Sequence, residues 1–267
     1  MITNPTIVPS QGPPDPFVLR YNPRKRTSRN DEQSKGDSVS KFQGYPPDTL
    51  KFLRALKKNN DRDWFKANQS RYESAIAAPS LQFIADVGHE LPRISGLFQA
   101  IPRKSRGSMM RIYRDTRFSK DKTPYKTNIG IHFRHQVGKD VHAPGFYVHV
   151  EPKDVFIAAG IWRPEPKVAH QLREAIAKEP AVWKRATRSK TFASMFEMHG
   201  DSLKRPPRGL DPEHPLIEDL KRKDFIGVHE VAESSIESAS FLTETIETFR
   251  KAKLLVRFLC NSLNLPF

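Results

Sequence analysis

From about residue 108 the hydrophobic period of this chain falls from three-and-a-half to two, and it returns to the helical value after about residue 162. That switch allows few folds: a helical layer, a sheet of consecutive strands, then helices again. Phe146, Val148 and Val150 alternate with Tyr147, His149 and Glu151, and Ile131 and Phe133 alternate with His132 and Arg134. Met110, Ile112 and Arg114 alternate with Arg111, Tyr113 and Asp115 in the same way. These read as strands with one wet face, whereas residues 155–162 are apolar on both faces and read as a central strand. Glu151, Pro152, Lys153 and Asp154 form a tight turn between two strands, which calls for an antiparallel hairpin rather than a parallel crossover.

On the N-terminal side, Leu50, Leu53 and Leu56 follow Pro46, Pro47 and Asp48 at helical spacing. Asn59, Asn60 and Asp61 break that helix and cap the next, which carries Trp64, Phe65 and Tyr72. Pro79 is expected to open a third helix bearing Leu81, Ile84, Val87 and Leu91, ended by Pro92 and Gly96. Helices are expected again at residues 165–178, 180–188 and 215–221, then one long C-terminal helix over 238–263 with Phe241, Ile246, Phe249, Leu255, Phe258 and Leu259 as its stripe. The fold class is therefore α+β: an antiparallel sheet, helices packed mainly on one face, and a polar opposite face.

Residues 1–40 lack a periodic apolar pattern and are rich in proline, serine, asparagine and charge, so they are expected to form a disordered tail. Residues 41–267 are expected to form a single α+β domain. The triplet Arg24, Lys25, Arg26 in the tail is too short to outweigh its reading as solvated charge. The tail contributes +2 of a formal net charge of +15, so the basicity belongs to the folded part. A field of that sign concentrates phosphate-bearing or acidic partners. The single cysteine, Cys260, sits in an apolar stripe and reads as a buried inert thiol of a reducing compartment. No apolar run is long enough to span a bilayer and no signal peptide is apparent, so the expected location is cytoplasmic, with no membrane partner.

The densest chemistry lies at residues 103–126, where nine lysines and arginines stand against two aspartates, a net +7 in 24 residues. Such a segment either faces water, wraps an anion or is threaded by its own carboxylates. As an anion site it would use Arg111, Arg114 and Arg117 as a clamp, with Lys122 and Tyr125 assisting. As a structural clamp it would pair Asp115 and Asp121 with Arg111, Arg114 or Lys122 and pin Phe118 and Tyr125 to the core. On the polar face, strand alternation groups Arg111, Tyr113 and Asp115 with His132, Arg134, Tyr147, His149 and Glu151. Asp115 and His149 are the candidate acid/base residues. No metal site is expected: His132, His149 and Glu151 lack the helical His pair or Cys-x-x-Cys spacing that marks zinc. Neither a phosphate-binding Gly-Lys loop nor a Gly-x-Ser-x-Gly elbow occurs, and the sequence names no cofactor.

Arg111, Arg114, Asp115, Arg117, Phe118, Lys122 and Tyr125 reproduce the Arg-x-x-Arg-Asp-x-Arg-Phe and Lys-x-x-Tyr signature of an uncharacterised bacterial and fungal family, domain of unknown function twenty-four sixty-one. Further stretches resemble it, among them Phe42 with Gly44, Asn59 to Phe65, Gly145 with Tyr147 and Glu151, and Gly160 with Trp162. The resemblance implies a shared α+β domain and a shared importance of the Arg/Asp/Lys/Tyr segment. It brings no reaction, cofactor or partner. The functional classes left open are an enzyme acting on a small phosphorylated or anionic substrate, a nucleic-acid-binding module using Tyr113, Phe118 and Tyr125 for stacking, and an interaction scaffold.

Overall fold

The structure, a computed structural model, describes residues 41–138 and 143–267; the expected tail and its basic triplet lie outside them. Helix α1 (Asp48–Lys58) buries Leu50, Phe52, Leu53 and Leu56, and Asp61 caps α2 (Arg62–Ala67) by accepting the Trp64 N–H at 2.8 Å. A continuous helical run follows: α3 (Gln69–Tyr72), a π turn at Glu73–Ala77, and α4 (Ala78–Glu90). The expected helix at Pro79 is α4, with the proline in its first turn, where its missing N–H costs least, and the π turn directly ahead joins it to α3.

Strands β1 (Ile129–Arg134), β2 (Gly145–Glu151) and β3 (Asp154–Ile161) form an antiparallel meander. Helices α5 (Pro166–Lys178), α6 (Pro180–Arg188) and α7 (Lys190–Ala193) come next, then β4 (Glu197–His199), α8 (Ile217–Leu220) and β5 (Phe225–Glu230). The sheet order is β1-β2-β3-β5-β4, all antiparallel, so β3 is central as its two-sided apolar pattern requires. The expected strand over 110–115 reduces to two bridges, Met109 with Ile131 and Tyr113 with Tyr125. Residues 108–110 follow the edge of β1, but by Ile112 the chain has exchanged β1 for its own returning segment, with Lys126 N–H donating to Ile112 O and Arg114 N–H to Pro124 O. A ladder cannot continue through a change of partner.

Two helices, α9 (Ser240–Lys251) and α10 (Lys253–Ser262), replace the expected single C-terminal helix. The break at Ala252 re-aims the stripe: α9 packs on α4 and β3, α10 on α6 and β3. Phe249 stands 4.6 Å from the Phe146 ring and 5.5 Å from Phe133, locking α9 to the inner face of β1 and β2. That face is continuous with the main apolar core, and each such ring contributes about 2 to 3 kcal/mol on burial. Helices thus cover one face and leave the other open. No helix among the described residues is long and apolar enough to cross a membrane.

Candidate functional site

The uncovered face is not flat. A cavity of about 380 Å³ opens on it, lined by Met110, His132, Tyr147, His149, Phe156 and Trp162, with Gly145, Ala158, Gly160 and Ile226 as its floor. The strand period explains the lining, because His132, Tyr147, His149, Phe156 and Ala158 all occupy positions out of phase with the core residues. Small residues explain the depth. A methyl group on Gly145 would stand 2.5 Å from His132 Nε2, and one on Gly130 would stand 2.8 Å from the Tyr147 hydroxyl, so each glycine lets a ring from the neighbouring strand lie close over it. Gly160, at φ +133, brings its Cα so near β5 that a Cβ would sit 2.0 Å from Phe225 O.

His149 is tightly held in the wall. Its side chain is only 14% exposed, and its ring stacks on Phe156 at 4.6 Å with an interplanar angle of 6°. Nδ1 meets the Tyr147 hydroxyl at 3.0 Å and the Asn128 amide at 3.5 Å. Nε2 is buried and has no hydrogen-bond partner among the described residues. Glu151 Oε2 and Asp154 Oδ2 lie 3.6 and 3.8 Å from it, beyond hydrogen-bond range. The three donor groups lie within 4.8 Å of one another. Burial lowers the His149 pKa and raises that of Tyr147, so both are neutral near pH 7.

The basic segment divides into paired and unpaired cations. Asp115 accepts from Arg117 at 3.0 and 2.7 Å, and that guanidinium lowers the Asp115 carboxyl to about 2. Arg114 holds Asp121 and Thr123, and Lys122 donates to Thr116 O at 2.8 Å. Tyr125 is a buried anchor: its ring stacks on Phe65 at 4.2 Å, and its backbone exchanges two hydrogen bonds with the Asn60 side chain, 2.9 and 3.0 Å. Arg111 and Lys126 differ from these. Among the described residues neither meets a hydrogen-bond acceptor for its side chain, and the Lys126 ammonium is depressed first by burial and then by Arg111. Arg111 follows Met110 of the cavity wall, and Lys126 lies two residues before Asn128, which touches His149.

Of the residues expected to converge, His132, Tyr147 and His149 meet in the cavity. No hydrogen bond or ion pair links Asp115, Arg114, Arg117 or Lys122 to Tyr147 or His149 among the described residues. Phe118 projects from the loop 96% exposed. Three contributors were not foreseen: Phe156 and Trp162, hidden in a strand read as wholly core, and Asp154. The two-residue loop between Glu151 and Asp154 sets those residues opposite each other, so the turn was the signal that placed Asp154 beside His149.

Comparison with known proteins supplies a classification. The family described as conserved hypothetical protein (DUF2461) matches residues 48–258. The chain belongs to that family. The matched span covers the sheet, the cavity and the basic segment. No curated protein and no solved structure matches the chain.

Proposed function

We propose that this member of the family binds a small organic anion, with the apolar or aromatic body in the cavity and the anionic group on Arg111 and Lys126. The observation that carries the reading is the cavity itself. Its volume is that of a small-molecule site, and its walls combine apolar rings with a few polar groups, the usual composition of such sites. The charge supports it as well. Two neighbouring cations without acceptors, one of them partly buried, repel each other until an anion joins them. Asp115, tied to Arg117 and ionised at neutral pH, carries no proton there and acts to shape the loop. Any proton handling within the cavity falls to Tyr147 and the histidines.

Phenyl phosphate is a suitable probe, followed by quenching of tryptophan fluorescence, since Trp162 lines the wall. Binding should weaken about tenfold or more in Arg111→Ala, the loss expected from one charge-assisted contact, and should vanish in Ala158→Leu, which fills the floor. Benzyl alcohol, which lacks the anion, should bind more weakly. Equal binding to all three proteins would remove the cavity from the reading. Phe118 and Tyr113, both exposed beside the loop cations, favour a second reading as a nucleic-acid surface. A steeply salt-dependent affinity for single-stranded DNA without any phenyl phosphate binding would favour that reading.

A further inference from the structure

We infer that His149, Glu151 and Asp154 form a binding site for a divalent first-row transition ion at the end of the β2–β3 hairpin, beside the cavity. Nothing in this inference depends on what fills the cavity. The arrangement starts from the hairpin: Glu151 and Asp154 are paired across the turn, and His149 stands two residues earlier on the same face as Glu151. Lys153, at φ 70, closes the turn. One imidazole nitrogen and two carboxylates are thereby brought together from six consecutive residues.

Distances favour an ion over direct contacts. Donors about 2.1 Å from a tetrahedral ion stand about 3.4 Å from one another. Nε2 is 3.6 Å from Glu151 Oε2 and 3.8 Å from Asp154 Oδ2. These separations are too long for hydrogen bonds and need only a small inward movement to share an ion. The buried Nε2 has no other partner, which makes it costly in the ion-free protein.

The outer contacts fit a ligand histidine. A metal-bound imidazole ordinarily has its second nitrogen held by a hydrogen bond, which fixes the tautomer. Here the Tyr147 hydroxyl oxygen is 3.0 Å from Nδ1; in the tautomer whose Nδ1–H donates to that oxygen the Nε2 lone pair is free for the ion, while Phe156 fixes the ring plane. Glu151 is held as well, its Oε1 accepting from the Thr127 hydroxyl at 3.0 Å and lying 3.5 Å from Lys57 Nζ. Its Oε2 faces His149. Asp154 is the exposed, adjustable member. One nitrogen and two carboxylate oxygens suit Mn²⁺ or Zn²⁺, whereas Mg²⁺ and Ca²⁺ prefer all-oxygen shells. Three protein donors leave a coordination position open, as catalytic rather than structural sites do.

The full-length chain, treated with chelator and dialysed, is titrated with MnCl₂ while electron paramagnetic resonance counts the free ion. The expected result is one Mn²⁺ bound per chain, displaced by Zn²⁺, with selective broadening of the His149 and Tyr147 ring signals in the NMR spectrum. Asp154→Asn preserves shape at an exposed position and should weaken Mn²⁺ at least about tenfold, as should His149→Gln; Glu213→Gln, an exposed acid elsewhere, should change nothing. Absence of binding in millimolar Mn²⁺ overturns the site. So does binding that Asp154→Asn and His149→Gln leave intact. Mn²⁺ binding without phenyl phosphate binding would keep the metal site and refute only the cavity reading.

Discussion

Asp224 is the residue whose loss should most clearly uncouple the cavity wall from the sheet. It is almost fully buried just ahead of β5, and its two oxygens accept backbone N–H groups from separate loops, Arg163 at 2.7 Å and Asp201 at 2.9 Å. Arg163 follows Trp162 and sits at φ 47, a left-handed conformation that costs a non-glycine residue about 1 kcal/mol and needs an external hold. Gly200 approaches so closely, at φ 107, that a Cβ would lie 2.3 Å from Asp224 Cβ. Replacing Asp224 with alanine removes two charge-assisted hydrogen bonds worth about 1.5 to 3 kcal/mol each. Both donors are only partly buried and water replaces some of this, so the expected loss is about 3 kcal/mol. At about 2 to 4 °C per kcal/mol for a chain of this size, the Tm should fall by about 6 to 12 °C. Urea denaturation at constant m-value measures it directly. A loss below about 1 kcal/mol would mean that water satisfies both loops and that Asp224 does not position Trp162. Because Trp162 lines the cavity, the same variant should weaken phenyl phosphate binding even under conditions where it remains folded.

Two further outcomes follow from the charges. Arg117→Ala should leave stability unchanged within error, because the Arg117 side chain is 77% exposed and pairs with an exposed carboxylate; a clear drop on denaturation would instead make the segment a structural clamp. In the same variant the Asp115 titration, followed by NMR, should move from about 2 toward 3.8, because the guanidinium that favours the ionised carboxyl is gone. Cys260 shows the opposite sign: burial raises its thiol from 9.0 to about 12, so its contribution is complete below pH 9 and disappears between pH 9 and 12. Three pH units at about 1.36 kcal/mol each correspond to about 4 kcal/mol by pH 12. The alkaline loss should be shallower in Cys260→Ala, and parallel curves would refute burial as the cause.

The sequence carried the fold through periodicity. Alternation at 129–134 and 145–151 gave the faces correctly because a period of two leaves no ambiguity about which side chains share a side. It did not give the partner exchange at Ile112, which depends on which segment lies nearest in space, nor the break at Ala252, where the apolar stripe continues in sequence while its target changes. Phe156 and Trp162 were misread for a related reason. An apolar residue on a cavity wall has the same composition as one in the core, and only the glycine and alanine floor beneath it separates the two.

The basic segment carries the same lesson further. Its density of charge drew attention to residues whose charges are largely consumed by their neighbours: Arg114 by Asp121, Arg117 by Asp115, Lys122 by the Thr116 carbonyl. A short-range pair within a loop fixes the loop and leaves little field for a ligand. Of the cations without a hydrogen-bonded acceptor among the described residues, Arg111 and Lys126 stand at the segment's root, next to the cavity residue Met110 and two residues before Asn128. A ligand gains most from cations that have no hydrogen-bonded partner to give up, so the anion site proposed above belongs at the root of the segment rather than at its exposed tip.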